Sequence, residues 1–106
     1  MTVSGSNPPR RGDIWAISAG GIDILVISST VYNDIPSEPT IIVVPIFDHD
    51  PDTGFGVPLG DGQWAAPGLV TTLRKTSLLE LRRRIDVQVL TDVNNMLFRI
   101  LATPDR

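Results

Sequence analysis

The sequence predicts a mainly β domain with a minor helical part, and three observations support this. The first half carries three runs of β-branched residues, each bounded by turn-forming residues, which is typical of strands. The last part instead carries apolar residues at helical spacing. The chain has 106 residues, the usual length of a single domain. We therefore expect a set of short strands closed by one C-terminal helix.

The first three predicted strands follow one another closely along the chain. They cover residues 12–18, 22–29 and 40–47. The segment Ala19-Gly20-Gly21 between the first two is a tight hairpin signal, because glycine adopts the backbone angles of such turns without strain. The second and third runs are nearly apolar throughout, which predicts central strands covered on both faces. Pro45 lacks an N–H donor, so the third strand should have a bulge or a free edge there.

The second half begins with a stretch rich in Gly, Pro and Asp over residues 48–68, in which only residues 55–59 resemble a strand. Further along, the patterns predict a strand, a short helical turn and another strand over residues 68–75, 76–81 and 84–90. In the last of these, Ile85, Val87 and Val89 alternate with polar residues and are expected to face inward.

The final element is predicted to be an amphipathic helix that starts after Thr91. Thr91 is a suitable N-cap, and Pro104 lies just past the expected end of the helix. The apolar residues of this segment fall on one helical stripe, formed by Val93, Met96, Leu97, Ile100 and Leu101. We expect this stripe to close one end of a barrel or to dock on a sheet.

Composition limits the functional classes. The chain contains no cysteine, which excludes disulfides and thiolate metal sites. Its net charge of −3 gives no global field that would attract nucleic acid, so a nucleic-acid role needs a local basic patch. No apolar run has the length of a membrane span or signal peptide, which predicts a cytoplasmic protein without membrane contact. We expect a flexible tail over residues 1–10 and one domain over residues 11–106.

The acidic segment Asp48-His49-Asp50-Pro51-Asp52-Thr53-Gly54 has some features of a metal-binding loop. An EF-hand loop needs Gly at its sixth position and Glu at its twelfth, which here are Thr53 and Leu59. A solvated turn is the better interpretation, and we predict neither a metal site nor a cofactor. His49 is the only histidine of the chain and remains a candidate acid or base, although most such loop histidines are simply solvated.

The basic residues are unevenly distributed along the acidic chain. Seven of the nine lie in two short regions, namely Arg10, Arg11, Arg74, Lys75, Arg82, Arg83 and Arg84. Brought together by folding, they would form a phosphate-binding surface, although an ordinary solvated face is an equal alternative. Trp64 offers a possible stacking surface for an unpaired base. Core packing is expected for Trp15, which lies inside a predicted strand.

In order along the chain, these segments resemble the MazF/PemK family of toxin–antitoxin toxins. Arg11-Gly12-Asp13-Ile14-Trp15 resembles the family's opening strand, and Val26-Ile27-Ser28-Ser29-Thr30-Val31-Tyr32-Asn33 its second strand and exit. Ile42-Val43-Val44-Pro45-Ile46 is similar to the third strand, and Phe55-Gly56-Val57-Pro58-Leu59 falls where a short strand is expected. Leu73-Arg74-Lys75 and the following Leu81, Arg84 and Ile85 match the late strand and the lead into the final helix. The resemblance covers roughly residues 10–102, and it lies in the succession of the motifs.

This resemblance implies a small SH3-like barrel of the CcdB/MazF type with a C-terminal helix, and a homodimer. It also implies a metal-independent endoribonuclease that cuts single-stranded RNA at short sequences. In such a reaction a 2′-hydroxyl attacks the adjacent phosphate, and an arginine stabilises the charge that develops. The implied partner is a cognate antitoxin whose disordered segment blocks the RNA groove.

The sequence departs from the family pattern at the catalytic positions. The family's Arg-Pro pair aligns with Ile22-Asp23, and its Thr or Ser after the third strand aligns with Phe47. Another arginine must then serve, and Arg11, Arg74 and Arg82 are the candidate catalytic residues. The candidate RNA-binding residues are Arg10, Lys75, Arg83, Arg84, Trp64 and His49. The nuclease hypothesis depends on a fold that gathers these arginines around a cleft able to hold an anionic strand; if Arg11, Arg74 and Arg82 were scattered over separate convex surfaces, only a docking role would remain.

Two alternatives without chemistry remain open at the level of sequence. The short first hairpin and Ile42-Val43-Val44-Pro45-Ile46 also resemble CcdB, a gyrase-binding toxin of the same fold. CcdB binds gyrase through a tryptophan near its C-terminus, whereas this chain ends without one. The second alternative is a catalytically inactive MazF homologue that only binds an antitoxin.

Overall fold

The computed structural model describes residues 9–18 and 20–102, which form an antiparallel sheet and a long C-terminal helix. The strands are β1 Asp13–Ile17, β2 Asp23–Val26, β3 Thr40–Phe47, β4 Val57–Gly60, β5 Gln63–Ala65, β6 Thr71–Arg74 and β7 Leu78–Arg84. The helices are the single turn α1 Thr30–Asn33 and the long α2 Val87–Ala102, with 3₁₀ turns at Pro67–Leu69 and Lys75–Ser77. Neither α-helix of the described chain has the length and apolar content that crossing a bilayer requires. The tail over residues 1–8, Ala19 of the hairpin and Pro104 lie outside the described residues.

The strands form one curled sheet in the order β4-β5-β3-β2-β1-β7, with β6 paired to the remaining part of β3. Strands β4 and β7 therefore stand at opposite ends of the path. The Arg83 side chain of β7 nevertheless donates to Gln63 Oε1 of β5 at 2.6 Å and lies 3.5 Å from the Leu59 carbonyl of β4. The two ends thus approach each other, and the sheet is a half-barrel. The predicted fold class, a mainly β domain with a C-terminal helix, is confirmed.

Apolar side chains cover both faces of the central strands, as the uninterrupted apolar runs predict. One layer packs between the sheet and α2 and includes Leu25, Val44 and Val93. A second layer covers the opposite face and includes Val26 and Val43. Each such buried side chain contributes roughly 1.5–3 kcal/mol relative to an exposed one. Neighbouring residues of β2 and β3 therefore stabilise opposite sides of the same sheet.

Pro45 occupies a position where β3 needs no donor. Its carbonyl accepts the Ala66 N–H at 3.1 Å, so this side of Pro45 faces the chain between β5 and β6. Strand β5 pairs with β3 only at Ile46 and Phe47, and β6 pairs only from Thr40 to Val43. The missing N–H of Pro45 falls in this gap between two partners, which agrees with the predicted free edge.

Two segments of the second half differ from the prediction. The loop over residues 48–68 contains a β4–β5 hairpin rather than one short strand, and Asp61 at its turn has a φ of 57°. The predicted helical turn over residues 76–81 is wrong beyond its start, because the turn ends at Ser77 and Leu78 begins β7. β7 lies at the sheet edge and is largely exposed, so it lacks the apolar alternation of a half-buried strand.

The strand predicted over residues 84–90 is also wrong, because α2 begins at Val87. Asp86 Oδ1 accepts the Val89 N–H at 3.0 Å and satisfies a donor of the first helical turn. Thr91 is therefore not the N-cap; its hydroxyl donates to the Val87 carbonyl within the helix. The side chain of Val87 is 78% exposed, while Ile85 and Val89 pack on the core.

A buried amide anchors the start of the domain. Asn33, at the end of α1, is 1% exposed, and its Nδ2 donates to the Pro9 carbonyl at 2.9 Å and the Ser28 carbonyl at 3.0 Å. Its Oδ1 accepts the Ser28 hydroxyl. Pro9 and Arg10, which the sequence places in the tail, are thus attached to the domain: the Arg10 N–H also donates to Asp13.

Candidate functional site

A cleft of about 520 Å³ opens at the end of the half-barrel where β1 passes into β2. It is lined by Ala16, Ile17, Gly20, Gly21, Ile22, Asp23, Ile46, Phe47, Asp48, Gln63, Leu79 and Arg82. The floor is apolar, and the polar side chains come from four different parts of the chain. Because β2 starts next to the end of β3, with Asp23 opposite Ile46, one cleft collects residues from both halves of the sequence.

A β-bulge in β7 directs two consecutive arginines to the same side of the sheet. Ile14 pairs with Arg83 and Trp15 pairs with Leu81, so Arg82 is an extra residue opposite a single step of β1. In a regular strand Arg82 and Arg83 would point to opposite faces. Here Arg82 contacts Asp23 and Arg83 contacts Gln63, and both partners line the cleft.

Arg82 lies between two carboxylates. Its Nε is 3.6 Å from Asp23 Oδ1, and its Nη1 donates to Glu80 Oε1 at 3.2 Å. The Asp23 side chain is 24% exposed and lines the cleft, whereas that of Glu80 is 67% exposed and points to solvent. In the free protein these two carboxylates compensate the positive charge of Arg82. An anion that binds Arg82 must therefore compete with them for its guanidinium group.

Asp48 and His49 form a second pair at the rim of the cleft. His49 Nδ1 lies 2.8 Å from Asp48 Oδ1, and its ring packs 5.9 Å from that of Phe47. The hydrogen bond from His49, together with its charge, lowers the pKa of Asp48 below its usual value. The loop that follows is an exposed turn in which Asp50 accepts the Asp52 N–H.

The other two predicted catalytic arginines lie away from this cleft. Arg74 ends β6 opposite Thr40, and Thr40 is six residues along β3 from Ile46, which corresponds to about 20 Å. Arg11 precedes Gly12, whose N–H donates to the Val26 carbonyl at the end of β2 distant from Asp23. Of the three, only Arg82 lines the cleft, so the expected gathering of all three arginines around one cleft is not found, because β6 and the start of β1 lie at the other end of the sheet.

The predicted RNA-binding residues are also distributed over several places. Arg84 Nε donates to the buried Asp13 at 2.6 Å, and Lys75 Nζ donates to the Ile35 carbonyl at 3.0 Å. Trp64 lies in β5 opposite Phe47 and is half-buried, and Arg10 is exposed at the start of the domain. Arg83, His49 and Trp64 lie beside the cleft, next to its lining residues Gln63, Asp48 and Phe47 respectively. Trp15 packs on the second apolar layer, as expected, and donates its indole N–H to Asp13.

The sequence patterns did not single out Asp23 or Gln63. Asp23 interrupts an otherwise apolar run, and a charged residue in such a run is a usable signal. Gln63 follows Asp61-Gly62 in a segment that resembles a loop, and nothing in its local pattern marks it. Its relation to Arg83 depends on a contact between chain segments 20 residues apart.

The two positions that align with the family's catalytic side chains both line the cleft. Ile22 and Phe47 stand there as apolar residues, together with Leu79. The family's catalytic positions therefore fall in this cleft, but here they hold apolar residues, and the polar side chains of the cleft come from other positions. Asp23, which directly follows Ile22, pairs with Arg82, and Asp48, which directly follows Phe47, pairs with His49.

Comparisons with known proteins find similarity in structure but not in sequence. In sequence, neither a protein-family model nor a curated protein matches the chain. In structure, the chain resembles an endoribonuclease from a mycobacterial species, with a TM-score of 0.79 and 17% identity over 94% of this chain and 97% of that one. A mycobacterial endoribonuclease in complex with its cognate antitoxin gives 0.76 and 19% over 94% and 99%. A MazE–MazF complex from Deinococcus radiodurans gives 0.75 and 20% over 91% and 98%.

The alignments cover nearly the whole of each chain, so the likeness concerns the complete domain rather than one motif. Identities of 17–20% establish architecture and not activity. The half-barrel, its crossing order and its C-terminal helix are thus those of the MazF-type toxins.

Proposed function

We propose that this protein is the toxin of a toxin–antitoxin pair and cleaves single-stranded RNA in the cleft, without a metal. The observation that supports this most directly is the β7 bulge in a MazF-type fold: Arg82 lines the cleft, and Arg83 binds Gln63 of the cleft wall. Guanidinium groups bind phosphate through several N–H donors and keep their charge at any physiological pH. A strand of RNA laid across the cleft would contact both groups.

The proposed reaction uses the RNA's own 2′-hydroxyl as the nucleophile. Its attack on the adjacent phosphorus produces a crowded, doubly charged phosphorane, and Arg82 stabilises that charge. Arg83 is held by Gln63 at 2.6 Å and positions a neighbouring phosphate. Trp64 and His49 lie near the rim, where they contribute stacking and hydrogen bonds to bases. Arg11 and Arg74 take no part in the chemical step, because they lie at the other end of the strands.

Variants of two arginines test this proposal in one assay. Purified wild-type protein is incubated with a long RNA in EDTA, and the fragment ends are mapped. We expect cuts at a short sequence that leave a 2′,3′-cyclic phosphate and a 5′-hydroxyl. Arg82→Ala should lower the cleavage rate at least about a hundredfold, as expected for loss of a donor to the developing oxyanion. Arg74→Ala removes the same charge about 20 Å away and should retain cleavage within a few-fold.

Intact RNA with the wild-type protein would end the nuclease proposal. Equal rates for both variants would show that the cleft is not where RNA is cut. Both results are read after circular dichroism has established that the variants fold.

The proposed partner is a cognate antitoxin, and the proposed assembly is a cytoplasmic homodimer. Two of the similar solved structures are complexes of the toxin-like chain with an antitoxin. Co-expression of the neighbouring open reading frame should suppress growth arrest and yield a complex on size exclusion. A monomer at micromolar concentration, or growth arrest that no neighbouring protein relieves, would contradict this part.

A second candidate function is supported by the charge of the cleft. Asp23 and Glu80 neutralise Arg82, and Ile22 and Phe47 provide no polar group. A cleft of this kind also suits a toxin that acts by docking alone. Intact RNA with impaired supercoiling would identify a gyrase-directed toxin of the CcdB kind. No toxicity, with antitoxin binding retained, would identify an inactive homologue.

A further inference from the structure

The cleft contains a carboxylate that the proposed reaction has not yet used. Cleavage by a 2′-hydroxyl needs a proton acceptor as well as a cation, because the hydroxyl is a weak nucleophile until it loses its proton. An arginine keeps its own proton and is a poor acceptor. The acceptor is therefore sought among the acidic groups around Arg82.

Three carboxylates lie within or beside the cleft, and the structure separates them. Glu80 contacts Arg82 from the solvent side and does not line the cleft. Asp48 is 96% exposed, and its carboxylate is already engaged by the ring of His49 at 2.8 Å. Asp23 is three-quarters covered, lines the cleft and stands beside Arg82.

We propose that Asp23 is the general base of the reaction, a role that rests on the proposed function. The Asp23 carboxylate accepts the proton of the 2′-hydroxyl while the 2′-oxygen forms its bond to phosphorus. The bond from phosphorus to the 5′-oxygen then breaks, and the 5′-oxygen takes up a proton from solvent. Asp23 returns its own proton to solvent, so the step balances without a metal or a cofactor.

The geometry suits this division of labour between Asp23 and Arg82. Their separation of 3.6 Å is an ion pair rather than a tight hydrogen bond, so the carboxylate can still accept a proton. A phosphate held by Arg82 brings its 2′-hydroxyl within reach of the adjacent Asp23. Asp23 on β2 and Arg82 on β7 belong to the two strands that flank β1, with Asp23 paired to Ala16 and Arg82 at the bulge opposite the step from Ile14 to Trp15.

The alternative role for Asp23 is to neutralise Arg82 in the free protein. The two roles predict opposite changes in the RNA cleavage rate when the charge of Asp23 is removed. Asp23→Asn keeps the shape of the side chain and removes its charge. If Asp23 is the base, cleavage falls by about a hundredfold or more, while RNA binding is equal or tighter because a negative charge is gone. If Asp23 only neutralises Arg82, the same variant cleaves as fast as the wild type or faster.

The experiment measures single-turnover cleavage of a fluorescent RNA in EDTA and RNA affinity by fluorescence anisotropy. Glu80→Gln is the matched control, since it removes the other carboxylate that contacts Arg82, and its rate should stay within about threefold of the wild type. Asp23→Glu should retain part of the activity. The result that overturns the inference is a rate for Asp23→Asn equal to or above that of the wild type.

A pH profile distinguishes a base from a structural group. The wild-type rate should rise with pH as the base loses its proton and then level off, and Asp23→Asn should lack this rise. Arg82 contacts Asp23, and the other titratable or charged groups in or beside the cleft, among the residues that the structure describes, are Glu80 and Arg83 from β7 and Asp48 with His49 after β3. Glu80→Gln, Asp48→Asn and His49→Gln should each keep the rise. If one of them abolishes it while Asp23→Asn does not, the assignment to Asp23 is wrong. If the wild type leaves RNA intact, the proposed function fails and this inference fails with it.

Discussion

Replacing Asn33 by alanine is expected to destabilise the domain more than any change at its surface. The side chain is buried and makes three hydrogen bonds, two as a donor to the carbonyls of Pro9 and Ser28 and one as an acceptor from the Ser28 hydroxyl. Alanine removes all three and leaves two carbonyls without this partner in a place that water does not reach. The N-terminal segment before β1 also loses its attachment to α1.

The magnitude follows from these bonds. A hydrogen bond in a folded protein contributes about 1 kcal/mol net, and a buried group left without a partner costs about 1–3 kcal/mol. Three coupled bonds, partly relieved by relaxation, give about 3 kcal/mol of lost unfolding free energy. Small domains have only about 5–15 kcal/mol in total, so the loss is easily measured.

Urea unfolding followed by tryptophan fluorescence measures this loss. The midpoint should fall while the slope of the transition stays the same, because the folded state remains compact. Asn33→Asp is the control: it retains the shape but presents carboxylate oxygens to two carbonyls, and it should cost at least as much. The reasoning is refuted if Asn33→Ala costs less than about 1 kcal/mol, or if Asn33→Asp is as stable as the wild type.

Two further predictions concern the cleft and the pH dependence of stability. Ile22→Arg places a guanidinium on the cleft wall and should raise RNA cleavage by about tenfold through charge stabilisation, measured against Ile22→Met; an unchanged rate contradicts the placement of the reaction in this cleft. The Thr40 hydroxyl and N–H donate to Glu38 and lower its pKa below the usual 4.5. The stabilising effect of the Glu38 carboxylate is therefore complete above that value and is lost as the pH falls through the lowered pKa. Between about pH 6 and pH 3, the unfolding free energy of Glu38→Gln should fall less than that of the wild type. Equal decreases for the two proteins would contradict this assignment.

The first half of the fold could be predicted from the sequence because its signals are local. β3 was predicted over Thr40–Phe47 and is found there, since eight consecutive β-branched, apolar or proline residues between turns allow few other structures. The start of α2 could not be located in this way. Ile85, Val87 and Val89 satisfy the two-residue period of a strand, but Ile85 and Val89 also satisfy the four-residue spacing of a helix. In the structure Ile85 and Val89 pack on the core and Val87 does not, which is the helical pattern.

The candidate site was predicted only in part, because it depends on pairing between distant segments. The sequence named Arg82 as a candidate and the structure places it in the cleft, but nothing local indicates that it shares a face with Arg83. That arrangement comes from a bulge, which exists only relative to the register of β1. Similarly, Arg84 donates to the buried Asp13, which lies 71 positions earlier in the chain. The sequence around Arg84 therefore gives no sign of this ion pair.

The pairing of β1 with β7 has a consequence for biosynthesis. Asp23 is made well before Arg82, and in the part of the chain that the structure describes β7 joins the sheet through β1. A nascent chain that stops before β7 therefore has most of the central strands but lacks the cation of the cleft. The cleft is therefore complete only after β7 has been made and has paired with β1, so the charged pair of Asp23 and Arg82 forms late in folding, from segments made well apart in time.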